Sequence, residues 1–243
     1  MPSLFDLLAS AIEEERLVGT ATVTSGDATG GKILIDSTGA IEGQLGVGEP
    51  LAGAIVARSR ELLASRETAS FVAAAGTQEA EVFFELHEPL PRLIIVGAVH
   101  VAIPLVTIAK ALGFHTVVVD ARSAYATRER FPHADELILR WPSEALEEMR
   151  LHESTYCVFL THDAKLDNPA LAVALRRPVR YVGALGSKRT HAKRVDALRE
   201  AGLTDAEIDR VHAPVGIPLG GNRPEEIAVS IAAEMVAARH GLA

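Results

Sequence analysis

Apolar positions change their rhythm partway along the chain. In the first third, Leu4, Leu7, Leu8 and Ile12 recur at helical spacing and predict a helix over residues 4–17. Residues 19–24 and 32–36 read as strands, separated by the turn-rich Ser25-Gly26-Asp27-Ala28-Thr29-Gly30-Gly31. A second helix is predicted over 52–65 and an alternating, half-buried strand over 79–86. Further on, the apolar residues come in unbroken runs at 93–96, 116–119, 156–160 and 179–182, with helical stretches between them. Runs of this kind, rich in β-branched residues, mark parallel strands covered on both faces. The change falls at Glu88-Pro89-Leu90-Pro91-Arg92, where the spaced prolines cannot continue a helix and read as a linker. The predicted class is α/β: a small mixed α/β N-terminal domain over 1–88, then a Rossmann-like parallel-sheet domain over 89–243.

The C-terminal region is well punctuated. Thr204-Asp205-Ala206-Glu207 is a capping box opening a short helix that ends near His212, and 212–222 reads as loop. Asn222 or Arg223 caps a last helix, with Pro224, Glu225 and Glu226 in its first turn and Ile227, Ile231, Met235 and Val236 as its buried stripe.

Composition narrows the function classes. The chain has 243 residues, of which 48% are hydrophobic and 23% charged, so it is globular and large enough for one or two domains. Lys and Arg number 24 against 32 Asp and Glu, and the net charge of −8 argues against a nucleic-acid partner. That charge is unevenly divided. Up to Glu88 there are 5 basic residues against 14 acidic, a net −9, and from Pro89 onward 19 against 18, a net +1. Cys157 is the single cysteine, which excludes an internal disulfide framework and suits a reducing compartment. It sits inside an apolar run, where a buried, inert thiol is expected. No basic segment precedes the apolar start, and the uncharged stretch 93–109 is broken by Gly97, His100 and Pro104. A soluble, cytoplasmic protein without a membrane span is expected.

Gly26-Asp27-Ala28-Thr29-Gly30-Gly31-Lys32 has the spacing of a phosphate loop, but Ile33 stands where magnesium needs a hydroxyl and a strand follows instead of a helix. It reads as a hairpin turn. Leu93 to Ala102 carries more information, because a strand runs into Gly97, a helix follows, and the next strand ends at Asp120, where dinucleotide-binding units place a ribose-binding acid. Val99 replaces the second glycine of that pattern, and its side chain would stand where a pyrophosphate lies; Pro104 removes one helix hydrogen bond. NAD(P) binding is therefore the lesser reading. At Tyr181-Val182-Gly183-Ala184-Leu185-Gly186-Ser187-Lys188-Arg189 a strand turns into a helix. Gly183 and Gly186 permit the turn, Ser187 caps the helix, and Lys188 and Arg189 add charge for an anion. Lys193, Arg194 and Arg199 read equally as part of that site or as a solvated helix face. Thr161-His162-Asp163 follows another strand, at the end where doubly wound sheets bind ligands. His162 could handle a proton or ligand there, or the triplet could simply cap a helix. No spacing marks a metal site, and no side chain stands out as catalytic.

Taken in order, several segments resemble the xanthine dehydrogenase accessory factor family, of the XdhC/CoxI type. They are Gly97-Ala98-Val99-His100-Val101, Val119-Asp120-Ala121-Arg122, Ala126-Thr127-Arg128-Glu129-Arg130-Phe131-Pro132, Thr161-His162-Asp163, residues 181–189, His212-Ala213-Pro214-Val215-Gly216 and residues 224–234. The N-terminal part is similar only at Gly30-Gly31-Lys32 and Gly43-Gln44-Leu45-Gly46-Val47-Gly48-Glu49, with Glu49 where the family usually has cysteine. The resemblance implies a chaperone that transiently binds molybdenum cofactor (molybdopterin) and serves a xanthine dehydrogenase-type molybdenum hydroxylase. A cysteine desulfurase partner and a homodimer are further expectations. It implies a cofactor crevice of Gly97, His100, Asp120, Arg122, Thr161, His162, Asp163 and Gly183, with Gly186, Ser187, Lys188 and Arg189 on the phosphate. The rival readings are a nicotinamide-dependent oxidoreductase using the same crevice, and a scaffold that binds no cofactor.

Overall fold

The computed structural model describes residues 2–242. The chain divides into two compact units, residues 1–89 and 90–243. The first unit holds α1 (Leu4–Glu13), β1 (Val18–Val23), β2 (Lys32–Asp36), β3 (Ile41–Gln44), α2 (Glu49–Ser65), β4 (Ala69–Ala75) and β5 (Gln78–His87). Its strands form one sheet in the order β3-β2-β1-β5-β4, with every neighbouring pair antiparallel. Burial alternates along β5, as an antiparallel strand with one covered face requires. Leu51, Ile55, Leu62 and Leu63 of α2 pack with Phe84, Val82 and Ile35 on that face. On the opposite face Ala11 of α1 meets Val18 and Leu34, so the central strand β1 is covered on both sides.

α1 stops at Glu13, short of the predicted end, because Glu15 turns into the left-handed region at φ 49°. The turn of residues 25–31 is the hairpin between β1 and β2, with Gly26 and Gly30 at positive φ.

The second unit holds β6 (Arg92–Val96), α3 (Ala102–Ala111), β7 (His115–Val119), β8 (Glu136–Ile138), α4 (Pro142–Glu148) and β9 (Thr155–Phe159). It continues through α5 (Ala164–Leu175), β10 (Tyr181–Ala184), α6 (Lys188–Glu200), α7 (Asp205–Ile208), β11 (Val211–His212) and α8 (Pro224–Arg239). Its sheet is parallel throughout, in the order β11-β10-β9-β6-β7-β8. This is the doubly wound Rossmann order. The chain winds outward from β6 through β7 to β8, then crosses back to lay β9 on the other side of β6. Separate apolar clusters cover the two faces. One joins α3 and α8 to Leu93, Ile95 and Val158, and the other joins α4, α5 and α6 to Ile94, Cys157 and Phe159. β9 is buried at every position, so its residues cannot alternate in polarity.

Two local expectations are corrected. The helix opened by the Thr204 capping box ends at Ile208, and His212 closes the edge strand β11. Pro104 costs α3 no hydrogen bond, because it is the third residue of the helix, where the N–H has no intrahelical acceptor.

Among the described residues, no helix is long and apolar enough to cross a membrane. Asp135, just ahead of β8, ties that short edge strand to its neighbours. Its carboxylate accepts from the Thr116 N–H (2.8 Å) and hydroxyl (3.0 Å) and pairs with Lys110. Those bonds outweigh desolvation and lower its pKa from 3.8 to about 2. A carboxylate with a depressed folded-state pKa stabilises the fold above its unfolded value and loses that contribution as the pH falls through the folded one. Urea unfolding at successive pH values should show stability falling from pH 3.8 toward about 2, with a shallower fall for Asp135→Asn.

Candidate functional site

Doubly wound sheets bind ligands at the carboxyl ends of the strands where the winding reverses, which here is between β6 and β9. Gly97 follows β6 and Thr161 lies just beyond β9. The two turns touch, for a Cβ on Gly97 would lie 2.8 Å from Thr161 Cγ2 and 3.0 Å from its backbone nitrogen. Gly97 also sits at φ +112°, a conformation that side chains resist.

Asp120, directly after β7, holds the β6 turn from the other side. It is fully buried, and its Oδ2 accepts from the Ala98 N–H at 2.8 Å. Arg122 folds back to give it three more bonds, from the backbone N–H (2.9 Å) and Nε (2.8 Å) to Oδ1 and from Nη2 (2.7 Å) to Oδ2. The acceptor sites of both oxygens are thereby filled. Desolvation opposes the charge, but these bonds prevail and hold Asp120 below the usual carboxylate range. The same pair raises Arg122, to which Asp163 contributes from across the crevice. Arg122 lies 4.5 Å over the Tyr125 ring, a cation–π stack, and Arg130 donates to the Ala98 carbonyl at 2.9 Å and to the Tyr125 carbonyl at 2.7 Å. Arg122, Tyr125 and Arg130 together form a half-exposed basic wall on the β7 side.

The β9 side is organised by Thr161. Its hydroxyl accepts from the Asp163 N–H (3.0 Å) and donates to buried Asp167 Oδ1 (2.7 Å). Asp163 caps α5 through the Lys165 N–H at 2.9 Å. His162 stands exposed between them at φ 60°. The local capping pattern is present, and the same turn carries His162 to the rim of a pocket between α5 and α6.

The turn after β10 exposes Ser187, Lys188, Arg189 and Thr190. Ser187 Oγ accepts from the Thr190 N–H at 3.2 Å and caps α6. The N–H groups of Lys188 and Arg189 then begin a 13-residue helix and find no acceptor within it. Gly186 has φ +141°, and a Cβ there would come within 3.2 Å of Thr190 Cγ2. Gly183 plays a different part. It is buried in β10, and a Cβ would strike Val215 Cγ2 and the Tyr181 hydroxyl. Beyond it, Glu234 of α8 fixes the loop after β11, accepting from the Gly216 N–H at 2.8 Å and from the Tyr181 hydroxyl, with His212 Nδ1 3.6 Å away. Burial and this carboxylate push the Tyr181 phenol far up.

Not every expected lining residue faces the crevice. Gly97, Arg122, Thr161 and Asp163 gather at the reversal point, and His100 is exposed in the turn ahead of α3. Asp120 is sealed beneath Arg122. Val99 corrects an expectation, since its side chain packs on the apolar cluster beside α3. The sequence reading missed Asp167 and the inward turn of Arg194. Arg194 is only 4% exposed, donates from Nη2 to the Leu185 carbonyl at 3.2 Å, and lies 3.9 Å from Asp167 Oδ2. Its Nε and Nη1 meet no hydrogen-bond partner among the described residues. Such an unmet buried donor costs about 1–3 kcal/mol. Lys193 and Arg199 of the same helix are exposed, the latter paired with Asp205 at 2.9 Å. A helix bearing five Lys and Arg residues gives no sign of which one turns inward until α5 is placed beside it.

Residues 93–235 match the family model described as the XdhC Rossmann domain. The chain belongs to the XdhC family. A Bacillus subtilis protein named as a probable xanthine dehydrogenase subunit is 34% identical over 166 residues, 68% of this chain and 48% of that protein. The Escherichia coli molybdenum cofactor insertion chaperone PaoD is 28% identical over 151 residues, 62% of this chain and 41% of PaoD. The E. coli protein YqeB is 29% identical over 216 residues, covering 84% of this chain and 40% of its own. This XdhC chain thus spans less than half the length of these curated relatives. A crystal structure from Bacillus halodurans, named a xanthine dehydrogenase, has the same fold, with a TM-score of 0.57 and 21% identity over 99% of this chain and 96% of that one. The XdhC Rossmann match begins in β6 and ends in α8, so it contains the reversal point and the turns after β6, β7, β9 and β10.

Cys157 lies outside the crevice, in the middle of β9. Burial pushes its thiol up to about 12. A thiol reagent at neutral pH should therefore leave Cys157 unmodified in the native protein and label it once urea unfolds the chain, as mass spectrometry would show. Gly97→Ala should lower unfolding stability by about 2 kcal/mol or more in urea titration, through its positive φ and the contact with Thr161.

Proposed function

We propose that this chain is a cytoplasmic accessory protein that binds molybdenum cofactor and serves the maturation of a xanthine dehydrogenase-type molybdenum hydroxylase. The observation that carries the reading is the turn after β10. Lys188 and Arg189 stand exposed at the N-terminus of a long helix, after a glycine whose positive φ makes the turn and whose missing Cβ makes room for Thr190. That donor set fits the phosphate of a pterin cofactor. Membership of the XdhC family and the name of PaoD support the same assignment.

In this reading Gly186, Ser187, Lys188 and Arg189 hold the phosphate through backbone N–H groups and two cations. Arg122, stacked on Tyr125, offers a flat cationic face to the pterin, and the exposed polar groups of His100, His162 and Asp163 reach its edges. Asp120, Thr161, Gly97 and Gly183 act behind them by fixing the turns. The cofactor, when bound, supplies the molybdenum centre that the client enzyme uses. A dinucleotide fits less well, because Asp120 has no acceptor left for a ribose hydroxyl.

The test mixes the full chain with molybdopterin released from a molybdenum enzyme and follows pterin fluorescence retained through gel filtration. Retention is expected, with Lys188→Gln and Arg189→Gln each weakening it about tenfold. Absence of retention alongside a working control chaperone would overturn the assignment, and saturable NADH binding in its place would favour the oxidoreductase.

A further inference from the structure

A pocket of about 130 Å³ lies between α5 and α6, lined by His162, Asp167, Asn168, Thr190, Lys193 and Arg194. We propose that this pocket binds a tetrahedral oxyanion of the phosphate class, anchored by Arg194. The guanidinium is nearly withdrawn from solvent, and only Nη2 is occupied, by the Leu185 carbonyl. Nε and Nη1 have no partner among the described residues. A buried cation with unmet donors calls for an anion, and the one carboxylate nearby, Asp167, stays 3.9 Å away while accepting from the Thr161 hydroxyl instead.

The other walls suit the same ligand. Lys193 adds a second cation at the rim, Thr190 a hydroxyl and Asn168 an amide. The amino ends of α5 and α6, helices of 12 and 13 residues, flank the pocket and bring the positive ends of their dipoles to it. The volume is that of a small ion or the end group of a larger molecule, too little for a ring system and its substituents. Desolvation raises the pKa of Asp167, against the Thr161 hydrogen bond and the charge of Arg194. Desolvation lowers that of Arg194, and the charge of Asp167 offsets only part of it.

The pocket shares His162 with the proposed cofactor crevice but not its phosphate turn. Lys188 and Arg189 are not among its lining residues, and its occupant needs no pterin. Inorganic phosphate and glycerol 3-phosphate should each be titrated calorimetrically into the full chain at low ionic strength. Saturable binding that depends on Arg194 is expected, distinct from phosphate taken up at the turn of Lys188 and Arg189. Tighter binding of the free ion assigns the pocket to inorganic oxyanions, and tighter binding of the ester assigns it to the phosphate end of a larger ligand. Arg194→Lys, with the charge kept but the guanidinium lost, should weaken phosphate about tenfold or more, and Lys193→Gln by a smaller factor. Lys188→Gln should impair pterin retention without removing the Arg194-dependent phosphate binding, which separates the two sites. Should Arg194→Lys fail to fold, the rim variants Lys193→Gln and Asn168→Ala carry the decision. No saturable phosphate binding, or undiminished binding in both rim variants, overturns the proposal.

Discussion

The contact between Gly97 and Thr161 is the constraint on which the C-terminal unit turns. Two parallel strands that start their crossovers in opposite directions must leave their carboxyl ends side by side, and the backbones can meet there only if one turn lacks a side chain. The neighbouring polar groups then secure that approach. Asp120 takes hold of the turn on the β6 side through Ala98, and Asp167 takes hold of the β9 turn through the Thr161 hydroxyl. Both carboxylates are buried, so both act as internal fasteners. Charge reaches the surface of the crevice one residue further out, on Arg122 and on the lysine and arginine that open α6.

A buried carboxylate is costly unless its bonds are complete, and the two fasteners meet that condition differently. Asp120 is complete, with a bidentate arginine folded over it. Asp167 has the Thr161 hydroxyl on one oxygen and a distant arginine facing the other. The first arrangement is closed, whereas the second leaves capacity on the arginine side.

Much of the architecture was legible in the chain. Continuous β-branched runs marked the central parallel strands, because a strand covered on both faces has no polar side to show, and the alternation in 79–86 marked the antiparallel one for the opposite reason. The strands without such a signal lie at sheet edges, among them the seven-residue β4, whose apolar residues do not alternate with polar ones. β3 is exposed at all four positions, β8 has three residues and β11 two, too few for a period to declare itself. The glycine turns could also be located, since Gly97 and Gly186 end apolar runs. Which polar residue would be buried could not. Asp120 carried the mark of a ligand-binding acid, yet Arg122 covers it. Arg194 sat in a basic run, and only the packing of α5 against α6 distinguishes it from Lys193 one position earlier.

Strand order also fixes when the crevice comes into being. As the chain is synthesised, β6, α3 and β7 can pair early from local sequence, but that half has only one wall of the reversal point. β9 follows some sixty residues after β6 and supplies the other wall, and the basic turn waits for β10. The ligand-facing surface is thus a late product of folding. A chain interrupted before residue 187 can bury much of its first apolar cluster and still present no basic turn.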